Sequence, residues 1–245
     1  MRIFLRQLAR HLAQSFSLVE FVLRNRCAYF AEIAAQNDLI GKTLRLLTVE
    51  GVGFCVAGFV LGLSGRLILP AVFAMLKLPL LFLLAGVICL PTLYYFSIVF
   101  GARLRFLQTI TLILTSQTVS AVLILGTTPI SLLFLFSGAE PVFLTLLNIG
   151  LLGLASVLGL IFLVQGALYI QETQPPETFG WATWPALLLK GNLRSVVLLG
   201  WLAIYGLVGA QMSWALRPFF GVTLDGHDFF SALNSAIRLW LGAGR

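Results

Sequence analysis

The sequence predicts an all-α, polytopic transmembrane helical bundle of about five crossings, with amphipathic interfacial helices at both ends. Three observations lead there. Between Val49 and Trp214 long apolar stretches follow one another, and the few charges fall almost entirely in the gaps. The 245-residue chain is 59% hydrophobic and 10% charged, with a mean hydropathy of +0.99, whereas ordinary soluble domains carry roughly 25% charged residues. The stretches are apolar all round, where a soluble helix hides only one stripe. A helix needs about 20 such residues to cross about 30 Å of hydrocarbon. No segment alternates polar and apolar residues as a barrel strand does. In lipid, backbone amides and carbonyls must pair within the segment, which the helix achieves.

The organisation expected is an interfacial amphipathic arm over 1–46, the transmembrane bundle over 47–221 and an interfacial tail helix over 222–245. In the arm, Leu5, Leu8, Leu12, Phe16, Val19 and Leu23 recur at helical spacing. Arg2, Arg6, Arg10 and Gln14 follow every four residues and form a basic face. Arg6 and Arg10 interrupt the apolar region a secretory signal requires. A mitochondrial-type presequence shares the pattern, but a helix lying on the cytoplasmic leaflet with its arginines near anionic headgroups is preferred. Asn37-Asp38 then opens a short second helix.

The first crossing is expected over about 47–65, with Glu50 near its cytoplasmic end. The apolar piece 67–76, bounded by Arg66 and Lys77, is too short to cross alone and reads as oblique, re-entrant or interfacial. The second crossing runs over about 78–100, with Pro79 in its first turn and a kink at Pro91. Gly101-Ala102-Arg103-Leu104-Arg105 is a basic turn. The third crossing covers 107–126, stopped by Gly126-Thr127-Thr128-Pro129, after which 130–137 is a second short apolar patch of the same ambiguity. The fourth covers 142–170 and the fifth 196–214, separated by a polar loop whose Trp181 and Trp184 suit a membrane interface. Asp228 caps a tail helix carrying Phe229, Phe230, Leu233, Ile237 and Leu241.

Net charge is +7. Membrane proteins concentrate Lys and Arg on cytoplasmic loops, and no nucleic-acid motif offers another use for the excess. With the N-terminus inside, eleven basic residues fall on the cytoplasmic side and five on the other. A separate crossing near Ile130 would reverse the side of the C-terminus.

Candidate chemistry is sparse. The third crossing holds Thr109, Thr111, Thr115, Ser116, Gln117, Thr118 and Ser120, while Asn148, Gln165 and Gln211 sit in other crossings. Thr115, Ser116, Gln117, Asn148, Gln165 and Gln211 form the candidate intramembrane polar cluster. It serves either as a polar path or as hydrogen-bond glue between helices. Glue is favoured, because a path usually exposes ionisable groups at mid-membrane depth, and Glu50 is expected near an end. Gly58 with Gly62, Ala155 with Gly159, and Gly206 with Ala210 are small-residue pairs that let helices approach. Arg2, Arg6, Arg10, Trp214 and Arg217 are candidate lipid or partner contacts, with Arg217 read as an interfacial anchor.

Asp225-Gly226-His227-Asp228 is read as a turn and helix cap, not a metal site, since metal sites need ligands converging from separate elements. Gly41-Lys42-Thr43 lacks the glycine a phosphate loop needs, with Gln36 standing there. Only His11 and His227 could serve a hydrolytic triad. Cys27, Cys55 and Cys89 are too scattered for a metal or redox motif and read as small hydrophobes. No catalytic, metal or cofactor site is expected, and no nucleic-acid partner.

Two stretches carry a resemblance. Lys77-Leu78-Pro79 with Cys89-Leu90-Pro91-Thr92-Leu93-Tyr94 and Phe100-Gly101-Ala102-Arg103-Leu104 resemble a group of uncharacterised bacterial multi-spanning membrane proteins. So does Gly209-Ala210-Gln211-Met212-Ser213-Trp214-Ala215-Leu216-Arg217-Pro218-Phe219-Phe220-Gly221. The resemblance implies a bacterial membrane protein and no mechanism; the location expected is the bacterial cytoplasmic membrane. The five-crossing layout is similar to Yip1-type proteins in topology only. The function expected is that of a non-enzymatic accessory, assembly or scaffold subunit, whose partners are membrane lipids and other integral membrane proteins or further copies of itself. The alternative is a small transporter or channel with a polar path along the third crossing.

Overall fold

The computed structural model describes residues 17–63, 68–99, 105–171, 200–211 apart from 202, and residue 238. The described residues are almost all helical, with no strand among them. Among the described residues the helices are α1 (residues 17–24), α2 (Arg26–Ala34), α3 (Leu39–Gly62), α4 (Ile68–Val99), α5 (Phe106–Phe136), α6 (Pro141–Gln171) and α7 (residues 203–211). Arg2, Arg6, Arg10, Trp214, Arg217 and the Asp225–Asp228 turn lie outside the described residues.

Four segments are long and apolar enough to cross a membrane: Leu39–Gly62, Ala71–Tyr95, Phe106–Phe136 and Val142–Ile170. Their outward faces are apolar too. Ile40, Leu44, Val52 and Val56 on α3, Leu76 and Val87 on α4, Leu133 and Phe136 on α5, and Leu154 and Val157 on α6 are all exposed. The interior instead holds Glu50, Gln117, Thr118, Asn148 and Gln165. A greasy exterior around a partly polar interior is the inverse of a soluble domain. The chain is an integral, multi-pass membrane protein.

Several expected boundaries move. The first crossing begins at Leu39, not near Leu47, and absorbs the short helix expected after Asn37-Asp38. Asp38 precedes it with φ of 46°, a left-handed conformation that Asp tolerates. The piece 67–76 is no separate interfacial or re-entrant segment, because α4 runs unbroken from Ile68 to Val99 with both Pro79 and Pro91 inside it. Patch 130–137 likewise belongs to α5, which passes through Pro129 to Phe136. Thr127 and Thr128 each donate to the Ile124 carbonyl, at 2.9 and 3.0 Å. Local side-chain bonding of this kind lets a proline sit within a membrane helix. No extra crossing arises at Ile130, so that source of a reversed C-terminus disappears. The fourth expected crossing matches α6, and α7 falls within the stretch expected for a fifth, the rest of which lies outside the described residues.

At 1.5 Å per residue, α4, α5 and α6 are each about 45–50 Å long, more than the hydrocarbon needs, so they tilt or project. The extensive helix packings are α3 on α5, α5 on α6 and α3 on α4, while α2 lies against α5 and α6. Two apolar clusters result. One gathers Tyr29, Phe30 and Ile33 of α2 with Leu112, Phe162, Leu163 and Trp201. The other gathers Phe54, Ala57, Leu78, Phe82, Ala121 and Ala155, with Phe54 and Phe82 stacked at 4.0 Å. Residues 1–16 of the arm expected on the leaflet lie outside the described residues; further along it, Tyr29, Phe30 and Ile33 of α2 are 0% exposed within the bundle.

Candidate functional site

Helix α5 supplies the polar interior, and its hydroxyls bond in two directions. Thr109, Thr111, Thr115 and Ser120 each donate to the carbonyl one turn earlier on their own helix. Several side chains also reach a neighbour. Gln108 accepts from the Arg105 amide and donates to the Ile33 and Ala34 carbonyls at the end of α2. Thr111 meets Thr43 of α3 at 3.0 Å, and Thr115 meets the Tyr29 phenol of α2 at 2.7 Å. Thr118 donates to the Leu46 carbonyl of α3 and Ser120 to the Ala155 carbonyl of α6. Gln117 donates to the Phe82 carbonyl of α4 and, at 3.0 Å, to the Tyr205 hydroxyl of α7. One helix thus bonds to each of α2, α3, α4, α6 and α7.

The expected polar cluster resolves into separate levels. Thr115, Ser116 and Gln117 are together on α5. Asn148 is elsewhere, accepting from Ser131 at 2.6 Å, and Ser131 stands about 21 Å along α5 from Gln117 at 1.5 Å per residue. Gln165 faces the α2 end, where Arg26 donates to it at 3.5 Å. Gln211 is exposed at the described end of α7. The three expected small-residue pairs also diverge. A Cβ on Gly58 would lie 2.5 Å from the Ala74 carbonyl and one on Gly62 2.4 Å from the Ala71 Cα, so this pair seats α4 on α3. A Cβ on Gly159 would lie 2.5 Å from the Ser116 carbonyl, and Ala155 accepts from Ser120, so that pair seats α6 on α5. Gly206 has nothing within 4 Å of where its Cβ would be.

Gly206, Gly209 and Ala210 instead line an apolar cleft of about 250 Å³ between α4, α6 and α7, walled by Phe82, Ala85 and Tyr205 among others. The depth of one further residue, on α3, is concealed by the sequence. Glu50 is the middle residue of α3 once the helix begins at Leu39, and it is 0% exposed. Neither of its oxygens has a hydrogen-bond partner among the described residues, and neither does Gln117 Oε1. The level is set by Phe54 one turn further on, stacked on Phe82. Tyr205 is within electrostatic range of Glu50 and Cys89.

Two contacts at the basic end are likewise absent from the sequence reading. Lys42, 8% exposed at its side chain, pairs with Glu32 of α2 at 2.7 Å. Arg105 donates to Gln36. Glu32 and Lys42 could have been matched by charge, but the bond from Gln117 to Tyr205 spans 88 positions with nothing in the sequence to link them. Among the described residues no group of three His, Cys, Asp or Glu side chains is disposed to hold a metal ion.

No protein-family model, curated protein or solved structure matches the chain.

Proposed function

We propose that the protein is a non-enzymatic accessory or scaffold subunit that packs against other integral membrane proteins or organises lipid in a bacterial cytoplasmic membrane, N-terminus inside. The observation that carries this reading is the commitment of α5: several of its polar side chains are spent on neighbouring helices, while a sizeable opening among the described residues is apolar. A cleft walled by glycine, alanine and aromatic carbon admits a hydrocarbon surface and offers little to a hydrated solute. The basic count and the resemblance of residues 209–221 support the orientation and the membrane.

Replacing Gln117 and Asn148 by Leu tests the reading. Loss of co-purifying membrane partners or of assembly, with no solute flux in either protein, supports a scaffold. Loss of a measurable flux with the fold intact supports a small transporter. One observation favours that second reading, namely the buried acid Glu50, whose position at mid-helix removes the argument that it merely marks an end.

A further inference from the structure

The mid-level carboxyl of α3 calls for an occupant. An ionised carboxylate removed from water without a partner is strongly unfavourable, and such a group is stabilised by taking up a positive charge. Glu50 meets the condition fully, with 0% exposure and two oxygens lacking a hydrogen-bond partner among the described residues. The described elements around it offer no fixed cation at its level. The titratable group within electrostatic range of Glu50 is Tyr205 of α7, which is also within range of Cys89 on α4. Lys77 of α4 adjoins Leu78, which packs at Gly58, about 12 Å along α3 from Glu50. Helix α5 presents Gln117 and Thr118, which do not titrate, and neither α5 nor α6 carries a charged residue within its crossing. On α3 itself Lys42 and Arg45 lie toward the N-terminal end, and Lys42 is paired with Glu32.

Tyr205 connects this level to the cleft, being within electrostatic range of Glu50. The Tyr205 hydroxyl accepts from Gln117 at 3.0 Å, while its ring forms part of the cleft wall. Gly86 makes room for the Gln117 amide, since a Cβ there would lie 2.6 Å from Nε2. The orphaned Gln117 Oε1 adds a second buried acceptor.

We propose that Glu50 is an intramembrane proton-binding site, reached from the α4–α6–α7 cleft by way of Tyr205 and Gln117. In the binding step hydronium gives its proton to a Glu50 oxygen, an O–H bond forms there, and one water molecule is released. Release reverses this. The site goes beyond the scaffold reading and stands or falls separately from it.

The test uses the full-length protein in phospholipid vesicles with dicyclohexylcarbodiimide, an apolar reagent that adds to protonated carboxyls in membranes. Peptide mass mapping should find the adduct on Glu50. Its yield should fall as the buffer is taken from acid to alkaline, and Glu50→Gln should lose it. Tyr205→Phe should slow its formation without changing the labelled residue. The infrared carbonyl stretch of a protonated carboxyl, titrated on the unaltered protein, gives a reading that needs no variant. Absence of both the adduct and that band at every pH overturns the proposal. So does suppression of labelling by sodium ions at fixed pH, which would identify a metal-cation site instead.

Discussion

Tyr29 and Lys42 hold the N-terminal segment to the bundle by different means, and their substitutions should behave differently. Tyr29 shares a hydrogen bond with Thr115, so Tyr29→Phe should cost about 0.6 kcal/mol, the average for such bonds in membrane bundles. Burial pushes the Tyr29 phenol up, the Thr115 bond partly opposes this, and the Glu32 charge adds to it. The folded state therefore holds that proton more tightly than the unfolded chain. Its contribution is complete below the ordinary phenol value, about pH 10, and is lost as pH rises beyond it. Tyr29→Phe should flatten the alkaline fall in detergent-solubilised stability, which a thermal melt across pH would show. For the ion pair, Glu32→Gln leaves a buried ammonium without its counter-charge, whereas Lys42→Met leaves a carboxylate that is already 42% exposed. Glu32→Gln should therefore be the more damaging change, by about 1–3 kcal/mol. Equal melting temperatures for the two variants would contradict that burial asymmetry.

At the level of the helix, the glycine seams give the sharpest contrast. Gly58→Leu drives a side chain into the Ala74 carbonyl, and about 1–3 kcal/mol should be lost as α4 lifts from α3. Gly206→Ala meets open space and should change stability by about 0.5 kcal/mol or less. The sequence shows the same small-xxx-small spacing at both places, and only the neighbouring helix distinguishes them. Helix boundaries are legible in proportion to how well soluble-protein rules transfer. Helix α6, free of internal proline after its first residue, is legible to within a residue or so of its ends. Helices α4 and α5 each look cut short at a proline, because Pro79 and Gly126-Thr127-Thr128-Pro129 are stop signals in water. In lipid, leaving the helix exposes backbone groups with nothing to bond, so the chain continues through the proline and threonine hydroxyls bond a nearby carbonyl. Charge misleads at the other end. Lys42 and Arg45 suggest that the crossing starts after them, yet α3 already carries both, with Lys42 neutralised by Glu32.

On the scale of the whole molecule, the membrane character is legible from composition alone, since apolar side chains have to face outward somewhere and do so on every long helix. The pairing of its polar residues is not, because each bond joins positions that sequence distance conceals. Asn148, Gln165 and Gln117 look like one cluster and occupy three levels. What holds the bundle together is α5, whose polar side chains reach five other helices. That claim is open to direct measurement. With Cys27, Cys55 and Cys89 replaced by alanine, single cysteines introduced one at a time from Gln108 to Ala121, the buried part of α5, can be probed in native membranes with a water-soluble maleimide. The enclosed, bonded α5 predicts uniformly slow labelling over this stretch. A periodic stripe of fast-reacting positions at Thr111, Thr115 and Thr118 would mean that water reaches the helix, and would contradict a bundle sealed by α5.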